Sequence, residues 1–209
     1  MKALIIDDHS IVRRGLASLL QEHFKDVVVG EAGDAYEGLA AVLKDQWDIA
    51  IVDISMPGRN GLELIQDIKR EKPDQPILVI SSHAERDYAL RALKLGAAGY
   101  VSKQSAPDVL VTAVQRVLAG RRYISTALAE HLAGALAGET NAASHETLSN
   151  RELLVLRLIA SGKTVKEISS DLSLSVKTVA TYRSRIAEKM GLSTNVELTR
   201  YAMQHGLVE

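Results

Sequence analysis

The chain has 209 residues, 46% of them hydrophobic, enough for one large core or two small ones, and two domains are expected. It has no cysteine, which excludes a disulfide framework and a thiolate metal site. The formal net charge is −1, unevenly spread: Met1 to Gly120 carries 14 Lys and Arg against 17 Asp and Glu, and Leu148 to Glu209 carries 9 against 6, so only the basic back suits a polyanion.

The start, "MKALIIDDHS", has too short an apolar run for a signal peptide, and no later run approaches membrane-spanning length. A soluble, cytoplasmic protein without membrane contact is therefore expected. Five short apolar runs follow: "ALII" before Asp7, "VVVG" before Glu31, "IAIV" before Asp53, "ILVI" before Ser81, and "YV" before Ser102 and Lys103. Between them, residues such as Leu16, Leu19 and Leu20, or Leu62, Ile65 and Ile68, have helical spacing. Continuously apolar strands alternating with helices predict a doubly wound parallel sheet in the order 2-1-3-4-5.

After Gly120 the pattern changes. "RRYISTALAEHLAGALAG" predicts a helix capped by Ser125 or Thr126, and "ETNAASHETLS" reads as a linker. The remaining residues carry only helix signals. Ser149 with Glu152, Thr164 with Glu167 and Thr194 with Glu197 form three capping boxes, Ser175 caps a further helix ending near Met190, and Gly162, Gly191 and Gly206 mark helix ends. The expected organisation is residues 1–120, a linker carrying a helix over 121–146, and four short helices over 147–209.

In a doubly wound sheet, ligands bind outside the carboxyl ends of the strands. Those ends carry Asp7 and Asp8, Asp53, Ser81 and Lys103. Clustered carboxylates repel one another, and Mg²⁺, a hard ion that keeps several waters, suits such a site. A carboxylate nucleophile, a metal, a lysine and a hydroxyl together fit phosphoryl chemistry. No Gly-rich P-loop is present, so the phosphoryl donor is expected from outside. His9 is expected to begin a solvated turn.

Asp7-Asp8-His9, the "D-x-x-M-P-G-x-N-G" from Asp53 to Gly61, Ser81-Ser82 and Lys103 together resemble the receiver domain of two-component response regulators. The resemblance implies that Asp53 accepts phosphate from a histidine kinase and that Asp7, Asp8, Asp53 and the Ser55 carbonyl hold Mg²⁺. It also implies that Ser81 senses the phosphoryl group, Lys103 pairs with it, and Tyr100 swings inward when Ser81 moves. Ser55 and His83 occupy positions that flank the attacking water in receivers and are expected to tune phosphate lifetime. One departure is Gln104, which follows Lys103 where many receivers have proline, so an inexpensive cis bond is not available there.

In the tail, Val165, Ile168 and Leu172 share one helical face, and Val179, Tyr182, Ile186 and Met190 a second. The opposite face of the second helix carries Lys177, Ala180, Thr181 and Ser184, with Arg183 and Arg185 at its flanks. By pattern alone this fits either a helix-turn-helix or an ordinary bundle with a solvated charged face. The stretch Leu148 to Leu192, with its Arg151-Glu152 pair and "S-x-K-T-V", resembles the DNA-binding domain of the LuxR/NarL/FixJ class. That resemblance implies contact with double-stranded DNA through Lys177, Thr178, Ala180, Thr181, Tyr182, Arg183, Ser184 and Arg185. It further implies a homodimer on DNA through the last helix, with Val196 and Tyr201 at the contact, while Leu198 and Ala202 are expected in the core.

The expectation is thus a (βα)5 doubly wound receiver followed by an all-α four-helix helix-turn-helix domain: a phosphorylation-dependent transcription regulator rather than an enzyme. Two rivals stay open. A phosphatase with an aspartyl nucleophile usually shows Asp-x-Asp after the first strand, where this chain has adjacent Asp7 and Asp8. A regulator that binds DNA regardless of phosphate is disfavoured by the complete set of acids, Ser81 and Lys103.

Overall fold

Five parallel strands form one sheet in the order β2-β1-β3-β4-β5: β1 Lys2–Ile6, β2 Val28–Ala32, β3 Ile49–Asp53, β4 Ile77–Ser81 and β5 Gly99–Ser102. The computed structural model describes residues 1–82, 85–126, 128–130 and 144–208. The predicted strand order holds, because each strand returns through a helix: α1 Ser10–His23, α2 Ala35–Lys44, α3 Gly61–Glu71, α4 Glu85–Lys94 and α5 Pro107–Leu118. Every residue of β3 and β4 is buried, as continuous apolar runs covered on both faces require.

Side chains alternate across the sheet. Ala3, Ile5, Ile49, Ile51, Leu78 and Ile80 pack with Leu20 of α1 and Leu110, Val114 and Val117 of α5 in one core cluster. On the far side of β1, Ile6 lies against α2, so closely that a Cβ on Gly38 would strike it. The strands are in register such that Ile6 pairs with Val52, Asp53 with Ile80, and Ser81 with Ser102, which brings their carboxyl ends to one edge.

The free side of β5 is covered in a way the sequence reading did not foresee. The chain after α5 turns back, and Tyr123 forms a parallel bridge with Gly99, its N–H donating to Ala98 and its carbonyl accepting from Tyr100. A side chain at Gly99 would collide with the Tyr123 carbonyl, so glycine is needed there. Ser125 rather than Thr126 then caps the next turn, accepting from the Leu128 N–H at 3.1 Å. The continuation of that predicted helix lies outside the described residues. The peptide after Lys103 is trans, since no cis bond occurs among the described residues.

The chain divides into two compact units, Met1–Ala133 and Gly134–Glu209. Within the second, a short 3-10 turn at Ser144–Thr147 precedes α6 Asn150–Ala160, α7 Val165–Asp171, α8 Val176–Met190 and α9 Asn195–Gln204. The three capping boxes form as predicted, each with reciprocal side-chain and backbone bonds, and Ser175 caps α8. Gly162, Gly191 and Gly206 follow helices with positive φ, as helix-terminating glycines do. Leu153, Leu156, Ile168, Val179, Ile186, Leu198, Ala202 and Leu207 are among its buried residues, so Leu198 and Ala202 are core residues. Tyr182 departs from its expected place among them and is only half-buried.

Candidate functional site

β1 delivers Asp7 and Asp8 to the edge of the sheet. The Asp7 N–H donates to the Ala32 carbonyl at 3.2 Å, extending the β1–β2 pairing by one residue, and the next turn enters α1. β3 ends on Asp53, and both Asp7 and Asp53 are fully buried, while the Asp8 side chain is a quarter exposed. Ligand atoms of Asp7, Asp8, His9 and Asp53 lie within 4.8 Å of one another. His9 is mostly exposed, as expected of a turn, and its Nδ1 stands 2.9 Å from Asp8 Oδ1.

Lys103 reaches in from the loop after β5. Its Nζ lies 2.7 Å from Asp7 Oδ2 and 2.8 Å from Asp53 Oδ2. Burial pushes the Asp53 carboxyl up from its ordinary value, and the hydrogen bond from Lys103 opposes this without reversing it. For Lys103, burial pulls the ammonium down, but its bonds to Asp53 and Asp7 outweigh this and the net direction is upward. One ammonium against three carboxylates leaves a negative deficit. Asp53 Oδ1 is a buried oxygen with no hydrogen-bond partner among the described residues, and the donors present are hard carboxylate oxygens. Both features fit a small divalent cation such as Mg²⁺.

The loop after Asp53 must leave the pocket open. Gly61 begins α3 directly against the Asp53 backbone, its N–H donating to the Ile54 carbonyl at 3.0 Å, and any Cβ there would overlap the Asp53 carbonyl oxygen. The buried Asn60 caps the helix through the Glu63 N–H at 2.9 Å. Arg59 ties the same loop to Asp67 of α3 and stacks over the Tyr36 ring of α2 at 5.8 Å. The Ser55 hydroxyl is buried without a hydrogen-bond partner among the described residues. Ser81 is fully buried at the end of β4, and Tyr100 is fully buried on β5. His83 lies outside the described residues.

The sequence reading missed Arg13, Arg59 with Asp67, and the Tyr123 bridge. A signal existed for Arg13: a cation in the first turn of a helix opposes the helix dipole and so marks a tertiary partner.

In the second unit, α7 and α8 are joined by a tight turn in which Ser173 takes φ 52° and Leu174 donates to the Ser169 carbonyl at 2.9 Å. Val179, Ile186 and Met190 face inward. Lys177, Ala180, Thr181, Ser184 and Arg185 are exposed, and the hydroxyls of Thr181 and Ser184 bond back to the carbonyls of Lys177 and Ala180, keeping that face low. Thr178 is half-buried, its hydroxyl 2.8 Å from the Ser175 cap. Arg183 is held by Asn195 Oδ1 at 2.7 Å and by the Ser193 carbonyl at 3.4 Å. Val196 is 78% exposed, beside an exposed Met203 that the sequence reading did not single out. Tyr201 is half-buried: its hydroxyl stands 3.0 Å from His145 Nδ1, and its ring lies 4.1 Å from that of His205.

An acid and lysine pocket at the carboxyl edge of a (βα)5 sheet, carried in one chain with a helix-turn-helix unit, defines a receiver coupled to a DNA-binding domain. The response regulator receiver domain family matches residues 3–115, and the luxR family of bacterial regulatory proteins matches residues 146–202. The chain belongs to the two-component response regulators of the NarL/FixJ type, which regulate transcription in a phosphorylation-dependent manner. It is 36% identical over 208 residues to the response regulator UvrY of Escherichia coli (strain K12), covering 99% of this chain and 95% of that protein. It is 37% identical over 210 residues to the response regulator GacA of Pseudomonas syringae pv. syringae, covering 100% and 98%. Among solved structures it is similar to RcsB from Salmonella enterica serovar Typhimurium bound to promoter rprA with the phosphomimetic BeF3−, at TM-score 0.68 and 31% identity, covering 96% and 97%. Among the described residues no helix is long and apolar enough to cross a membrane.

Proposed function

We propose that Asp53 is the phosphoacceptor and that its phosphorylation by a histidine kinase controls DNA binding by α8. The observation that carries this reading is the asymmetry of Asp53: Oδ2 is held by Lys103, while Oδ1 is buried and has no hydrogen-bond partner among the described residues. The carboxylate attacks the phosphorus of the donor phosphohistidine; the new O–P bond forms as the P–N bond breaks, and the imidazole leaves. Asp7, Asp8, Asp53 and the Ser55 carbonyl would hold Mg²⁺, which when bound would neutralise charge developing on the phosphoryl oxygens. Lys103 then turns from Asp53 toward a phosphoryl oxygen, the Ser81 hydroxyl bonds another, and Tyr100 reports the shift of Ser81. Ser55 and His83 govern the access of hydrolytic water. The phosphoryl group ends on the protein itself, so the chain is a switch rather than a turnover enzyme.

The receiver spans residues 1–120, the linker 121–146, and the DNA-binding domain 147–209. α8 enters the major groove with Lys177, Ala180, Thr181, Ser184 and Arg185 toward the duplex and Tyr182 at the border of that face. Thr178 holds the start of the helix at its Ser175 cap, and Arg183, at its middle, ties it to the start of α9. A homodimer through the exposed Val196 face, with Tyr201 behind it, matches two half-sites, and the protein works in the cytoplasm.

The test compares wild type with Asp53→Asn in two measurements: alkali-labile phosphate taken up from a phosphorylated histidine kinase or a small acyl phosphate with Mg²⁺, and genome-wide DNA occupancy. Uptake and an occupancy change confined to wild type are expected. Equal uptake, or equal occupancy under phosphorylating conditions, would reject the reading.

A further inference from the structure

The geometry points to Arg13 as a positioning residue for the divalent-cation site, an inference that rests on the cation reading above. Arg13 sits in the first turn of α1 and does not enter the pocket. Its Nη1 donates to the main-chain carbonyl oxygen of Asp7 at 2.7 Å, and its Nε donates to Glu31 Oε2 at 3.0 Å. That carbonyl belongs to the peptide joining Asp7 to Asp8, the two acids of the site that follow β1. The N–H of Asp7 is held on its other side by the carbonyl of Ala32, the residue after Glu31.

The Asp7 main chain is therefore pinned at both of its polar groups, the amide by the end of β2 and the carbonyl by a guanidinium that is itself braced against β2. The orientation of the Asp7–Asp8 peptide plane sets where both carboxylates point, so freeing it disperses the ligand oxygens around Asp53. Asp7 gains a further restraint within the turn, since its Oδ1 accepts from the His9 N–H at 2.8 Å. This bond closes a turn across the same peptide and adds to the hold that Arg13 gives from outside it.

Arginine suits this role and lysine does not. The guanidinium presents two N–H groups in a fixed planar fork, one for each acceptor, whereas an ammonium carries its donors on a single atom at the end of a flexible stem and fixes the direction of neither bond. The Arg13 side chain is 18% exposed, so its bonds compete only weakly with water, while its Glu31 partner is 42% exposed and serves as a brace. Groups that orient ligands without touching the metal typically change affinity by about 10- to 100-fold when removed.

The experiment titrates Mg²⁺ calorimetrically into the metal-free full chain for wild type, Arg13→Ala, Arg13→Lys, Glu31→Gln and Asp8→Asn, with thermal unfolding recorded in chelator. Arg13→Ala is expected to raise the Mg²⁺ Kd by about 10-fold or more while the receiver stays folded at the titration temperature, and Arg13→Lys to recover part of the loss. Glu31→Gln should give a smaller rise of about 2- to 3-fold, because a neutral brace still accepts from Arg13. Unchanged Kd in Arg13→Ala overturns the positioning role. Should Arg13→Ala not fold, Arg13→Lys and Glu31→Gln decide the matter, and wild-type affinity in both overturns it. Absence of Mg²⁺ binding in wild type, or full affinity in Asp8→Asn, instead refutes the cation reading, and the positioning role falls with it.

Discussion

The backbone N–H of Lys103 donates to the carbonyl oxygen of Ser81 at 2.8 Å. This bond joins the ends of β4 and β5, so the hydroxyl and the ammonium proposed to meet the phosphoryl group are fixed to one another through the main chain. Their side chains can then respond to a change at Asp53 as a unit, which gives the proposed switch a short mechanical path.

Replacing Lys103 with alanine removes the only cation that touches Asp7 and Asp53 among the described residues. Phosphoryl uptake from an acyl phosphate should slow by about 10²-fold, the usual consequence of losing one preorganised donor. The rate of phosphate incorporation at saturating Mg²⁺ measures this.

The raised pKa of Asp53 makes metal-free stability depend on pH. The folded state binds the Asp53 proton more readily than the unfolded state, whose carboxyl titrates near 3.8, so ionisation costs stability as pH rises through the folded value. Asp53→Asn should therefore melt above wild type at pH 7 in chelator, and the difference should vanish as pH falls below about 3.8. Lys103 is also raised and loses stability in the same direction, but its contribution is complete at neutral pH and is lost only as pH rises through a folded pKa above 10.5. Adding Mg²⁺ should raise wild type by about 2.7 kcal/mol at 100 times its Kd and so narrow the gap. Calorimetric melts across pH test each of these statements.

Glu152 is a buried carboxylate in the second unit, 2.6 Å from Lys189 Nζ and accepting the Ser149 N–H at 2.7 Å. Burial pushes its carboxyl up, but the bonds from Lys189 and Ser149 prevail and the net direction is below 4.5. Its stabilisation is present above the unfolded value near 4.5 and is lost as pH falls through the lower folded value. Lys189→Met leaves the buried charge only its bonds to Ser149 and, since Lys189 is itself well exposed, should cost about 2 kcal/mol in urea unfolding. Glu152→Gln, which keeps part of the cap, should cost about 1 kcal/mol.

On DNA, Lys177→Ala and Arg185→Ala should each reduce the slope of log K against log salt by about one unit, across all sequences. Arg183→Ala should leave the slope unchanged and lower stability instead, because its guanidinium is committed to Asn195 and Ser193. Fluorescence anisotropy over a potassium chloride series separates the two outcomes.

Val196→Glu places a charge on the exposed face of α9 and should weaken binding to a paired operator by 10-fold or more without altering binding to a single half-site. Equal losses on both DNAs would assign Val196 to folding rather than to the dimer.

The acidic pocket was legible because its residues end strands, and strand ends in a parallel sheet share one edge. Asp7, Asp53, Ser81 and Lys103 could be placed there from apolar runs alone. Arg13, Arg59 and Tyr123 could not, since each acts on a partner in a different element, which local periodicity does not specify: a β2 acid, an α3 acid and a β5 edge. The tail shows the same division. Its helices were readable from caps and glycines, but the loss of Arg183 from the outward face came from a contact with α9 that no periodicity reveals.

The sequence by itself determined the elements, their order and the set of acids, lysine and hydroxyl that make the chain a response regulator, because these follow from local periodicity, capping and motif spacing. Only the tertiary structure decided which oxygen of Asp53 stays without a partner, what holds the Asp7 peptide, and which arginine of α8 remains outward. Those outcomes depend on contacts between different elements, where burial and hydrogen bonding, rather than local preference, choose the partner.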